Sequence, residues 1–134
     1  MLFTEAEREY LGSQSLARLA TVDSDGRPQN NPVGFFVNDE AATIDIRGRR
    51  LGKSRKFHNV IENPAVAVVV DDLVSRRPWW VRGIEIRGRA EALTDQQPPY
   101  PYYSREIIRI HPERIIAWGI ESKDQPMAGR DVES

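Results

Sequence analysis

Ile84-Glu85-Ile86-Arg87-Gly88-Arg89-Ala90-Glu91-Ala92 alternates without a break between a small or apolar residue and a charged one. A period of two puts successive side chains on opposite faces of an extended chain, so the stretch predicts a strand with one face in a core. The other face is wet or paired with a partner. Flanking residues extend this strand from Trp79 through Leu93, the longest in the chain. Just upstream, Ala65-Val66-Ala67-Val68-Val69-Val70 is apolar on both faces and β-branched, which predicts a central strand buried on two sides.

The N-terminal third reads as a meander. Leu16 to Val22 is strand-like, Asp23-Ser24-Asp25-Gly26-Arg27-Pro28 is a dense turn signal, and Asn31 to Val37 returns as a second strand. Asn38-Asp39-Glu40 turns again into Thr43-Ile44-Asp45-Ile46-Arg47. Ahead of these, Thr4 and Glu7 have capping-box spacing, and Phe3, Ala6, Tyr10 and Leu11 have helical apolar spacing up to Gly12. A second helix is expected from Arg55 to Glu62, with Ser54 as its N-cap and Asn63-Pro64 as its stop. Downstream, Gln96-Gln97-Pro98-Pro99-Tyr100-Pro101 must be a loop, and His111-Pro112 is expected to break the last strand.

These elements predict a mainly β fold with two short helices: a six-stranded antiparallel barrel, closed because closure removes exposed edges. A length of 134 residues suits one domain, placed at residues 1–120, with residues 121–134 as a polar, aperiodic, mobile tail. Forty per cent hydrophobic residues without an apolar run of membrane-spanning length predict a soluble protein with no membrane partner. The acidic start, Met-Leu-Phe-Thr-Glu-Ala-Glu, lacks the pattern of a signal peptide, so a cytoplasmic location is expected. Cysteine is absent and the two histidines, His58 and His111, are isolated, which excludes thiolate catalysis and disfavours a metal site.

The net charge of −1 argues against nucleic acid as a partner, but it conceals a cluster. Arg47, Arg49, Arg50, Lys53, Arg55 and Lys56 fall within ten residues, between a strand end and a helix start. Free N–H groups and the helix dipole favour an anion there, although a solvated basic loop fits the same residues. Gln29-Asn30-Asn31-Pro32-Val33-Gly34-Phe35 is an unusual strand, since proline removes a ladder donor and glycine a side chain. Its backbone offers a flat surface to a ligand; an edge strand with a bulge is the equal alternative. Trp79, Trp80 and Trp118 read as core or interface anchors.

In their order and spacing, several segments together resemble the pyridoxamine-phosphate-oxidase-like split β-barrel family, and within it the deazaflavin-dependent branch. They are Leu16 to Val22, Asp25-Gly26-Arg27-Pro28, Asn31 to Phe35, Ser54-Arg55-Lys56, Asn63 to Ala67, Arg87 to Glu91 and His111 to Ile115. The resemblance spans about residues 3–120. It implies an FMN-binding-like fold and a homodimer, with coenzyme F420 or flavin mononucleotide in a groove between two barrels. By the same resemblance Ser54 and Lys56 hold phosphate, while Arg49, Arg50 and Lys53 face the acidic tail of coenzyme F420. Asn31, Pro32 and Val33 lie under the ring, and Trp79 or Trp118 closes the groove. The implied activity is an F420H2-dependent reductase that transfers a hydride to an unsaturated or conjugated small molecule. An FMN-dependent oxidoreductase and a non-catalytic F420-binding protein are the alternatives. A short proline-rich loop replaces the helical segment of the vitamin oxidases and their substrate-phosphate residues are missing, which argues against pyridoxamine phosphate oxidation. No catalytic acid is identified.

Overall fold

The computed structural model describes residues 2–133. The chain runs through α1 (Glu5–Gly12), β1 (Ala17–Val22), β2 (Pro28–Asn38), β3 (Thr43–Arg47), α2 (Arg55–Glu62), β4 (Ala65–Arg76), β5 (Trp79–Leu93), β6 (Ile107–Trp118) and β7 (Ala128–Asp131). All strand pairings are antiparallel, in the order β3-β2-β1-β4-β5-β6-β7, and β3 also pairs with β6. That extra pairing closes the six expected strands into a barrel.

The alternation that opened the sequence reading packs as expected. Ile84, Ile86 and Ala90 of β5 face Val66, Val68 and Val70 of β4, and Ile44, Ile46, Ile108, Ile110 and Ile115 complete the interior. Tyr10 and Leu11 of α1 and Phe57 and Val60 of α2 join the same core. Both helices start as their sequences require. Thr4 caps α1 in a reciprocal capping box with Glu7, and Ser54 caps α2 by accepting the Phe57 N–H. Among the described residues no helix is long and apolar enough to cross a membrane.

Three expectations are corrected. First, β4 is buried on one face only: Ala67 and Val69 point outward and stay half-exposed, because nothing in the chain packs on that side of β1 and β4 as closely as the core does. Second, His111-Pro112 does not break the last strand. Register shifts by one residue where Gly88 meets Pro112, so a bulge absorbs the missing proline donor and β6 runs on to Trp118.

Third, residues 121–134 are more than a polar tail, since they contain β7. Strand β5 covers one edge of β6 along its length, while β3 covers only Ile108 to Ile110 on the other. β7 pairs with the remainder of that edge, from Arg114 to Ala117. An unpaired run of backbone donors and acceptors is thereby satisfied. Arg130 of β7 then bonds both carboxylate oxygens of Glu7, at 2.6 and 2.9 Å, and the Leu2 carbonyl at 3.1 Å.

Candidate functional site

The basic segment leaves β3 at Arg47, crosses the turn at Gly48 to Arg50 and a single 3-10 turn at Leu51–Lys53, and enters α2 through Ser54. Its backbone is clamped from one side by the proline-rich loop. Ser104 donates its N–H and its hydroxyl to the Gly48 carbonyl, at 2.8 and 3.0 Å, and its Oγ accepts the Leu51 N–H at 3.1 Å. Glu106 accepts the Gly52 N–H at 3.1 Å. Arg47 reaches back to the Gln97 carbonyl at 2.9 Å. The loop and the cationic turn therefore form one rigid unit.

A cleft of about 380 Å³ opens between this unit and β2. Its floor is the outward face of β2, where Pro32 is exposed and Gly34 presents bare backbone. A methyl group added at Gly34 would meet nothing within 4 Å, so the floor is flat and open. Val33 points the other way into the core. Arg47, Arg49, Arg50 and Lys56 line one side, beside the N-terminus of α2, whose first N–H groups have no partner within the helix. Tyr102 and Tyr103 line another side.

Electrostatically the cleft is set up for an anion. Arg49, Arg50, Lys53 and Lys56 join none of the ion pairs among the described residues, whereas Arg8, Arg18, Arg27, Arg82, Arg87, Arg109, Arg114 and Arg130 each have a carboxylate. Burial draws Arg47 below the ordinary guanidinium value, opposed by the charge of Asp45. Asp45 itself is held by Arg109 through two bonds of 3.0 Å and does not neutralise the cleft. The Ser54 hydroxyl is less free than its sequence suggests: it donates to the Leu51 carbonyl at 2.6 Å while capping Phe57.

Of the residues singled out by sequence, Pro32, Val33, Arg49, Arg50, Ser54 and Lys56 meet in this one cleft. Lys53 opens instead onto an adjoining cleft of about 370 Å³ that shares Arg49 and Arg50. Asn31 lies one residue back on β2, opposite Leu19, and is not part of the lining. Trp79 stands at the far end of β5, paired with Arg76 and 67% exposed. Trp118 ends β6 and lays its ring over Gly83. Neither tryptophan lines the cleft within one protomer. Sequence reasoning had placed Gly34 in the flat strand and Arg47 in the cationic cluster without giving either a specific role, and it missed Tyr102 and Tyr103; the tyrosines beside three prolines were the available signal.

The donor set fits a planar ring carrying an anionic arm: a flat floor for the ring, a helix N-terminus for a phosphate, and unpaired cations running on from it toward Lys53. Nothing in the cleft is arranged for a metal, and no trio of His, Asp or Glu side chains is placed to hold one among the described residues.

Against known proteins, residues 3–131 match the family model described as pyridoxamine 5′-phosphate oxidase. A 5a,11a-dehydrotetracycline/5a,11a-dehydrooxytetracycline reductase of Streptomyces rimosus subsp. rimosus is 50% identical over 122 residues, covering 90% of this chain and 86% of that protein. A pyridoxine/pyridoxamine 5′-phosphate oxidase of Trichormus variabilis is 27% identical over 97% of this chain but only 55% of its own length. Among solved structures, an F420 reductase superposes with a TM-score of 0.58 at 28% identity, covering 76% of this chain and 89% of that one.

Proposed function

Because the chain belongs to the pyridoxamine 5′-phosphate oxidase family and is half identical to a named reductase, we propose that it is an F420H2-dependent reductase acting on an unsaturated or conjugated small molecule. That it is an oxidoreductase of this fold follows from the relatives; the deazaflavin and the acceptor are our reading. The observation that carries it is the row of cations that join no ion pair among the described residues, from Lys56 through Arg50 and Arg49 to Lys53, leading out of the cleft. One phosphate would occupy only its beginning. A longer anion of several charges uses all of it.

When bound, the reduced deazaflavin supplies the hydride. Lys56 and the N-terminus of α2 hold phosphate, Arg49, Arg50 and Lys53 hold the acidic arm, and the β2 backbone at Pro32 to Gly34 supports the ring. The chain contributes orientation rather than a reacting side chain, as is usual where a cofactor carries the chemistry. A homodimer belongs to the same reading. Glu85 and Arg87 bond each other within the protomer, as do Glu91 and His111, so these four charges on the outward face are already paired. Ala67 and Val69 pair with Arg87 and Glu85 across the sheet and so share that face, which is the surface offered to a second copy.

The test is a titration of purified protein with coenzyme F420 and with flavin mononucleotide, followed by oxidation of F420H2 with a panel of quinones and enones. We expect tighter binding of coenzyme F420 and turnover of at least one acceptor. Protein that is isolated with flavin and ignores coenzyme F420 would establish the flavin enzyme instead. Binding without turnover would make it a carrier.

A further inference from the structure

The adjoining cleft of about 370 Å³ mixes charges in a way that a simple anion site does not need. Arg49, Arg50 and Lys53 line it, and so does Glu106. None of these four joins an ion pair among the described residues, so acid and cations border one space without neutralising each other. The carboxylate is held there by fit. Glu106 stands immediately before β6, whose first residues, Ile107 and Ile108, are buried in the core. Its Oε1 accepts the Gly52 N–H at 3.1 Å, while Oε2 accepts no hydrogen bond among the described residues. A Cβ at Gly52 would lie 2.8 Å from Glu106 Cδ, so only a residue without a side chain lets the carboxylate sit this close to the turn.

A neutral acceptor would hold Gly52 equally well. A carboxylate also weakens the pull of the cations on every anion, which is of no use in a cleft that only gathers negative charge. The charge has a use as a selector. Guanidinium groups alone receive carboxylate and phosphate alike. A polyphosphate packs its charge densely and presents only acceptors, so it meets Oε2 as like against like. An amide chain that bears carboxylates gives its acids to the cations and an N–H to Oε2. We propose that Glu106 is a specificity-determining residue, which makes this cleft select carboxylates strung on amide groups over a polyphosphate. The use of such an arm by the working protein rests on the cofactor reading; the selectivity of the cleft does not.

Chemical-shift titrations of the intact protein with N-acetyl-triglutamate and with tripolyphosphate, anions of similar charge, read the selectivity without turnover. We expect the wild-type protein to bind the peptide about threefold or more tightly than tripolyphosphate. Glu106→Gln keeps an oxygen for Gly52 and removes the charge. It should bind tripolyphosphate about threefold or more tightly than wild type does, and the peptide no better, so that the preference reverses. Gly52→Ala keeps the charge but displaces the carboxylate, and it should lose the preference too. An unchanged preference in either variant, an equal gain for both ligands, or no binding of the peptide by wild type would overturn the proposal. A parallel fluorescence titration with coenzyme F420 reports on the cofactor reading separately: failure there leaves the peptide result to decide the role of Glu106.

Discussion

Ser54 and Lys56 are two residues apart and resemblance assigns both to phosphate, but the structure gives them different work. The Ser54 hydroxyl donates to Leu51 and accepts from Phe57, so its hydrogen is committed to holding the 3-10 turn against α2. Among the described residues Lys56 joins no ion pair, and it lines the cleft. Ser54→Ala should therefore cost about 0.5–2 kcal/mol of stability, the scale of a lost N-cap, with little change in affinity. Lys56→Ala should leave the melting temperature nearly unchanged and weaken coenzyme F420 by about 1.5–3 kcal/mol, the worth of a charge-assisted hydrogen bond. Thermal melts and fluorescence titrations of both variants check this pair. A Ser54→Ala variant that loses affinity but not stability would return the hydroxyl to the phosphate.

At the scale of elements, the passage of β6 through Pro112 depends on a residue in another strand. Opposite Pro112, a Cβ at Gly88 would lie 2.2 Å from the His111 carbonyl oxygen, a backbone atom that cannot swing away. Gly88→Ala should destabilise the fold by at least about 2–3 kcal/mol, as overpacking does when backbone must move. Gly12→Ala, at the end of α1 with nothing within 4 Å, should be neutral or stabilising by a few tenths of a kcal/mol. Denaturant unfolding of the two variants measures the contrast, and equal stabilities would mean the bulge is free to relax. The same pairing shows what a sequence can disclose. Strand β5 and helix α2 were legible because alternation, a cap and a stop are local signals, and six of the ten flagged residues met in one cleft for the same reason. The bulge was not legible, because it is a property of Gly88 and Pro112 together. Nor were Tyr102 and Tyr103, whose place is set by Ser104 bonding Gly48 across 56 residues. β7 was hidden for a third reason: Ala128-Gly129-Arg130-Asp131 has no apolar face, and it is a strand only because β6 offers an open edge.

For the whole molecule, that last strand ties the two ends of the chain together. Glu7 lies in the first turn of α1, buried to 6% exposure, and receives both guanidinium nitrogens of Arg130 as well as the Thr4 N–H. Burial alone would raise its pKa, but the Arg130 and Thr4 bonds outweigh it and hold the carboxyl below its ordinary value. A carboxylate depressed in the folded state contributes stability above its unfolded pKa, and that contribution is lost as pH falls through the folded value. Glu7→Gln should then be less stable than wild type by about 1–2 kcal/mol near pH 7, a figure reduced for the solvent exposure of Arg130. Below about pH 5 the wild-type protein should lose its advantage progressively, until the two curves converge once Glu7 is protonated in both states. Asp45 and Asp72 are depressed as well, by Arg109 and Arg82 against the cost of burial, so both proteins will weaken in acid. Only the difference between them isolates Glu7. Melting curves at half-unit steps from pH 7 to pH 3 provide it, and a gap that stays constant across that range would show that Arg130 and β7 are held by the β6 edge alone.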